Sequence, residues 1–143
     1  MTPFDEEVVR RRLQHLARTV ERLLADAPDD PGELAADPEG VAMAAAQHRL
    51  VVAAQAVADV AAHIVVSEGF GPPEDYRSAV LELGRRGIID EDLARRMADA
   101  VGLRNVLIHL YANVDPERVA AAVGEAEAFL TFAARLERWM QGA

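Results

Sequence analysis

Apolar side chains recur every three or four residues along most of the chain, which is the spacing of amphipathic helices. One such segment runs from Asp5 to Ala25, and a second, apolar around most of its circumference, runs from Glu39 to Glu68. The polar connection between them, Asp26 to Pro38, contains Pro28 and Pro31, which cannot continue a helix. We expect the second segment to be the central helix of the protein.

Three more helices are predicted in the second half of the chain. Their segments are Tyr76 to Arg86, Glu91 to about Leu110 and Pro116 to about Met140. Gly69 and Gly87 stand where helices end, Asp90 and Asp115 stand at N-cap positions, and Pro116 occupies a first helical position. No segment alternates strictly between apolar and polar residues, so no strand is expected. The pattern predicts an all-α fold, an antiparallel bundle of four to five helices, forming a single domain over residues 1–143.

Composition agrees with a globular protein of one domain. The 143 residues are 51% hydrophobic and 27% charged, with only 5% aromatic residues, which favours closely packed helices over sheets. The chain has no cysteine, which excludes disulfides, thiolate zinc sites and cysteine nucleophiles. The first twelve residues do not resemble a signal peptide, and polar residues interrupt the apolar run from Val41 to Val66, which argues against a membrane span. We expect a cytoplasmic protein.

The net charge of -9 bears on which ligands the protein can bind. All 15 basic residues are arginines, and the field of the whole molecule repels polyanions. A nucleic-acid ligand would therefore need a local basic patch, for which arginine is well suited because its planar guanidinium matches phosphate oxygens.

The four histidines do not indicate a metal site. They are His15, His48, His63 and His109, and no two have the His-x-x-x-His spacing of a helical zinc site. A glycine-rich phosphate loop and a Gly-x-Ser-x-Gly motif are also missing from the sequence. We expect no metal and no cofactor.

The segment from Val101 to Pro116 carries the candidate chemistry. Arg104, Asn105, His109 and Tyr111 interrupt a helix that is otherwise apolar, and together they supply a fixed cation, a proton-transfer group and a phenolic hydroxyl. Such a set suits phosphoryl chemistry, although satisfied hydrogen bonds between helices would equally explain polar residues in this position.

Helix geometry constrains how these four side chains can cooperate. Arg104 and Tyr111 fall on one stripe, and Asn105 and His109 fall on the next stripe. Arg104 and His109 are about 140° apart around the axis and roughly 7.5 Å apart along it. Either the long arginine side chain reaches round, or the helix is distorted, or a second protomer supplies part of the site.

The run R-N-V-L-I-H-L-Y, from Arg104 to Tyr111, resembles the R-x4-H-x-Y signature of the HepT-like toxins within the HEPN superfamily of helical ribonucleases. The resemblance extends over roughly Gln47 to Val119 and includes the Gly-Phe-Gly-Pro-Pro turn and the step Gly87-Ile88-Ile89. It implies an HEPN-like bundle that is at least a homodimer. It also implies a metal-independent endoribonuclease that acts as the toxin of a type VII-like toxin-antitoxin module.

The resemblance also implies roles for the residues that match the signature. Arg104 would bind the scissile phosphate, and His109 would transfer a proton as the ribose 2′-hydroxyl attacks, which yields a 2′,3′-cyclic phosphate. Asn105 would orient Arg104 or the phosphate. Tyr111 would be adenylylated by a cognate minimal nucleotidyltransferase antitoxin, so that added charge and bulk block the RNA. The alternative is a noncatalytic helical binding module or scaffold for a nucleotidyltransferase partner.

A second set of polar residues lies on the central helix. His48, Gln55, Asp59, His63 and Ser67 fall within about 100° of one another by the step of an α-helix. They form either a solvent-facing seam or a supporting group in which Asp59 and His63 face the cleft and orient Arg104 or Tyr111. Four further arginines are candidates for the rim of an RNA cleft: Arg85, Arg86, Arg95 and Arg96.

Overall fold

The computed structural model describes residues 3–142, except for the side chain of Tyr111. All regular elements among these residues are helical, as the sequence predicted. In chain order they are α1 (Glu6–Asp26), α2 (Gly32–Ala36), α3 (Val41–Ser67), α4 (Tyr76–Arg85), α5 (Glu91–His109), a 3-10 turn (Tyr111–Asn113), α6 (Pro116–Gly124) and α7 (Glu127–Met140).

The central position predicted for the second segment is confirmed, because α3 packs against α1, α4 and α5. By length and composition α3 could cross a membrane, and 56% of its most apolar stretch is buried among the other helices. Six of its buried residues have small side chains, four alanines and two valines, which lets the neighbouring helices approach closely: Ala53, Ala54, Val57, Ala58, Val60 and Ala61.

Two predicted segments differ from the observed helices. The final segment was expected to be one helix to about Met140, but it is broken after Gly124 into α6 and α7. The apolar and alanine-rich pattern continues across the break, so periodicity alone gave no sign of it. The connection between α1 and α3 was expected to be irregular, but it contains the short helix α2, which packs against α6. The bundle therefore has seven α-helices within the described residues, not four to five.

Side-chain caps fix where three of the helices begin. Asp5, Asp75 and Asp115 each accept a hydrogen bond from a backbone N–H in the first turn of α1, α4 and α6, respectively. The bonds from the Ser78 backbone and side chain lower the pKa of Asp75. Asp90 also stands at an N-cap, but its side chain makes no capping bond there, and instead forms an ion pair of 3.7 Å with Arg135 of α7.

Helices α4 and α5 pack against each other at very short range. Gly84 is buried in α4, and a Cβ atom at this position would lie 2.7 Å from the Cβ of Ala94 and 3.4 Å from the Cα of Glu91. Only glycine allows this approach, which sets the position of α5 relative to α4.

Replacing Gly84 by alanine should therefore destabilise the fold. The added methyl must push α5 away from α4, and we expect a net loss of about 1 to 2 kcal/mol after the gain in helix propensity is subtracted. Gly102→Ala is the matched control, because the nearest atom to a Cβ at position 102 is Nε of Arg77, at an ordinary contact distance of 3.8 Å. This control should be neutral or stabilising by up to about 1 kcal/mol. Urea unfolding of the three proteins measures both effects, and equal stability of the Gly84 variant and the wild type would contradict the packing argument.

Candidate active site

Arg104 is half-buried near the end of α5, and two nitrogens of its guanidinium are held in place. Its Nε donates to Oε1 of Gln55 on α3 at 2.6 Å, and its Nη1 donates to Oδ1 of Asn105 at 2.6 Å. The guanidinium carbon also lies 5.9 Å from the centre of the Tyr76 ring, at the start of α4. Nη2 makes no hydrogen bond to any group that the structure describes. One edge of the cation therefore remains available to an anion.

Gln55 connects Arg104 to a carboxylate on α3. The Nε2 of Gln55 donates to Oδ1 of Asp59 at 2.8 Å, and Oδ2 of Asp59 accepts from Nη1 of Arg12 on α1 at 3.1 Å. The oxygen of the Gln55 amide thus accepts from the cation of Arg104, and its nitrogen donates to the carboxylate of Asp59. Both the acceptor and the donor of the amide have a hydrogen-bond partner. We call Arg104, Gln55, Asp59 and Arg12 the Arg104 network. It joins three helices, α5, α3 and α1.

His109 and Asn105 are exposed on α5. Because α5 is α-helical through His109, the separation of about 140° between Arg104 and His109 applies to the observed helix. Of the three ways of bringing Arg104 and His109 together, the structure therefore does not show the distorted helix. Asn105 shares the stripe of His109 and binds Arg104, so it lies between the two groups.

Tyr111 follows the end of α5, in the 3-10 turn. The stripe predicted for Arg104 and Tyr111 assumed a continuous helix, and α5 ends at His109. The side chain of Tyr111 lies outside the described part of the protein, so its expected role stays a prediction.

The polar stripe of α3 divides into two groups with different surroundings. Asp59 belongs to the Arg104 network and reaches Arg104 only through Gln55. His63 is placed elsewhere: its Nε2 accepts from the backbone N–H of Asp5 at 3.0 Å, and its ring lies 5.6 Å from that of Phe4. The structure therefore places His63 at the start of α1 and does not bring it to Arg104.

Two residues at the site were not assigned a role from the sequence. Gln55 belongs to the polar stripe of α3, and its position one turn before Asp59 is the only sign of its role in the sequence. Tyr76 had no signal, because nothing in the pattern of α4 indicates that its first residue lies beside α5.

The four arginines predicted for the rim of an RNA cleft are each paired with a carboxylate nearby in the chain. Arg85 and Arg86 bind Glu82 at 3.0 and 2.9 Å, and the bonds from Arg86 and Arg85 lower the pKa of Glu82. Arg95 and Arg96 pair with Asp92 in the same way. These four arginines are thus weaker candidates for an RNA rim than the sequence suggested.

A cavity of about 250 Å³ opens beside Arg104. Its wall contains three guanidinium groups, from Arg96, Arg104 and Arg118, and two carboxylates, from Asp99 and Glu125, among apolar side chains. Within residues 3–142 no three His, Asp or Glu side chains are placed to hold a metal ion. Three cations therefore share this cavity with two carboxylates, and one of the cations, Arg96, is already paired with Asp92.

A family model described as "Ribonuclease HepT-like" matches residues 33–136. The chain belongs to the HepT-like ribonuclease family. The match contains the Arg104 network except for Arg12, and it contains the whole segment from Arg104 to Tyr111.

Two relatives of this HepT-like chain show similarity over part of their length. A protein of Archaeoglobus fulgidus, described as a candidate RNase, is 40% identical over 83 residues, which are 58% of this chain and 62% of that protein. A protein of Aphanizomenon flos-aquae named tRNA nuclease HepT is 36% identical over 69 residues, which are 48% of this chain and 47% of that protein. The chain thus spans about half to three fifths of the length of these relatives.

Solved structures share the fold along nearly the whole chain. A tri-AMPylated HEPN toxin of Shewanella oneidensis, in complex with an MNT antitoxin, superimposes with a TM-score of 0.80 at 20% identity and covers 94% of this chain and 99% of its own. YutE, a cytosolic protein of unknown function from Bacillus subtilis, gives a TM-score of 0.83 at 13% identity and covers 99% of this chain and 94% of its own. The HepT-like chain therefore has the HEPN-type helical fold that its sequence predicted.

Substitutions at Gln55 and at Arg104 should be coupled in their effect on the free energy of unfolding, whereas substitutions at His63 and at Arg104 should not be. We expect Gln55→Ala and Arg104→Ala to be non-additive by at least about 0.5 kcal/mol, because the two side chains share a hydrogen bond. His63→Ala and Arg104→Ala should add within about 0.5 kcal/mol, because the structure places no contact between them. Two double-mutant cycles in urea measure both values. Additivity in the Gln55 cycle would mean that the 2.6 Å contact does not form in solution.

Proposed function

We propose that this HepT-like protein is an endoribonuclease toxin that cleaves RNA in the cytoplasm without a metal ion, and that a cognate nucleotidyltransferase antitoxin neutralises it by adenylylating Tyr111. The observation that supports the proposal most directly is the guanidinium of Arg104, fixed by Gln55 and Asn105 with one edge available, on the helix that ends with the exposed imidazole of His109.

The chemistry assigned to these groups is an internal transesterification. The 2′-oxygen of the ribose forms a bond to phosphorus while the bond from phosphorus to the 5′-oxygen breaks, which leaves a 2′,3′-cyclic phosphate and a 5′-hydroxyl. His109 takes the proton of the 2′-hydroxyl or protonates the leaving 5′-oxygen. Arg104 stabilises the extra negative charge on the phosphoryl oxygens, and its fixed position reduces the reorganisation needed in the transition state.

A homodimer would solve the geometric problem of a single chain. One imidazole cannot both accept and donate a proton in a concerted step, and Arg104 and His109 of one α5 point in directions about 140° apart. Two chains that face each other across one cleft would supply two imidazoles and two guanidinium groups. We therefore propose that the active form is a homodimer whose cleft combines both α5 helices.

Regulation follows from where Tyr111 stands in the chain. It is two residues beyond His109 and begins the turn after α5. An adenylyl group on its oxygen would bring a phosphodiester charge and a bulky nucleoside to the end of the proposed cleft, where they would compete with RNA for the cation. The partner that fits this chemistry is a minimal nucleotidyltransferase that uses ATP.

Cleavage of RNA in the presence of EDTA tests the catalytic proposal. Arg104→Ala should lower the rate at least about 100-fold through lost stabilisation of charge. His109→Ala should lower it by about 10² to 10⁴ through lost proton transfer. His48→Ala, which removes an exposed histidine of α3, is the matched control and should cleave like the wild type. A product that ends in a 2′,3′-cyclic phosphate is expected, and undiminished cleavage by both α5 variants would refute the assigned roles.

Mass analysis after incubation with ATP and the nucleotidyltransferase tests the regulatory proposal. The chain has two tyrosines, Tyr76 and Tyr111, so each serves as the control for the other. Tyr111→Phe should gain no adenylyl mass, and incubation should not reduce its rate of RNA cleavage. Tyr76→Phe should be modified like the wild type. Modification of a wild-type chain that cleaves no RNA would instead support a noncatalytic module that serves the nucleotidyltransferase.

A further inference from the structure

A groove lined by two arginines and a histidine lies between α1 and α3, next to the Arg104 network. Its volume is about 700 Å³, and its α1 side carries Arg11, Arg12 and His15. These three residues fall within about 100° on the helix, so they face the same way. The α3 side carries Gln55 and Asp59 among small apolar side chains. We call this the α1 groove.

The charge of the α1 groove is opposite to that of the whole protein. Two guanidinium groups and one carboxylate line it, in a chain whose net charge is -9. Arg12 is paired with Asp59, whereas Arg11 and His15 form no ion pair with any residue that the structure describes. Arg85, Arg86, Arg95 and Arg96 differ in this respect, since Glu82 or Asp92 pairs with each of them.

Gln55 links the groove to the candidate active site. Gln55 lines the groove, and its Oε1 accepts the bond from Nε of Arg104. A single side chain therefore separates the groove from the guanidinium to which we assign the scissile phosphate. An RNA strand bound at Arg104 would have a neighbouring nucleotide within reach of α1.

We propose that the α1 groove is a phosphate-binding subsite for the RNA strand next to the cleaved linkage, with Arg11 and His15 as the groups that contact phosphate. This inference rests on the proposed ribonuclease function. Arg12 has a different role, since it pairs with Asp59, the carboxylate that accepts the hydrogen bond from Gln55. Single-stranded RNA fits the groove better than a second copy of this chain, because an unpaired guanidinium such as that of Arg11 binds phosphate well but is costly to bury between two proteins.

Salt-dependent binding of a single-stranded RNA tests the subsite. The probe is a fluorescent RNA with 2′-O-methyl groups, whose 2′-oxygens cannot attack, so it binds without being cleaved. Arg11→Ala should reduce the slope of log affinity against log salt by about 0.7, the value for one lost phosphate contact on a single strand. The double variant Arg11→Ala with His15→Ala should bind about tenfold more weakly than the wild type.

Two variants serve as controls in the same assay. Arg11→Lys keeps the charge and should keep the salt slope. Arg138→Ala removes an exposed arginine of α7 that neither lines the groove nor pairs with a described residue, and it should leave affinity and slope unchanged. If Arg11→Ala behaves like Arg138→Ala while the wild type still cleaves RNA, the subsite is refuted and the proposed function stands.

Two further outcomes would also overturn the inference. If light scattering shows that Arg11→Ala breaks an oligomer of the wild type, the groove is an interface between copies. If the wild type neither binds the probe nor cleaves unmodified RNA, the proposed function fails and the subsite fails with it.

Discussion

The hydrogen bond between Gln55 and Arg104 determines what the end of α5 can do. A long arginine side chain loses considerable rotamer freedom when it is held in one place, and two neutral acceptors supply the restraint here, the amide oxygens of Gln55 and Asn105, each at 2.6 Å. An acidic acceptor would hold the cation more strongly but would also neutralise it. An amide oxygen fixes the guanidinium and leaves its full charge for a phosphate, which is the combination that a preorganised anion site requires.

The sequence predicted the helices well because their boundaries depend on local chemistry. The aspartate at 115, the proline at 116 and the glycines at 69 and 87 act within one or two turns, and each marks a helix end in the structure. The break at Glu125 was missed because it depends on how α6 and α7 pack around the bundle, and the composition barely changes there.

The candidate site was predicted less completely. A stripe on one helix does not show which part of a neighbouring helix each of its residues meets. Asp59 and His63 are one turn apart and share a face of α3, so the pattern gave them one role. The structure gives them separate neighbours, since Asp59 binds Gln55 and Arg12, whereas His63 accepts from the backbone of Asp5, just before α1. Which residues of two helices meet is decided by their relative rotation and translation, and a single sequence contains no direct measure of either.

The order of donors and acceptors in the Arg104 network has a consequence for α1. The carboxylate of Asp59 attracts the hydrogens of the Gln55 amide and thereby increases the electron density on its oxygen, so that oxygen becomes a better acceptor for Arg104. Arg12 restrains the same carboxylate from the other side. A primary amide that lost this neighbour could turn over and present its NH₂ group to the guanidinium, which would repel it. The first helix therefore controls the polarity of a contact that it does not touch.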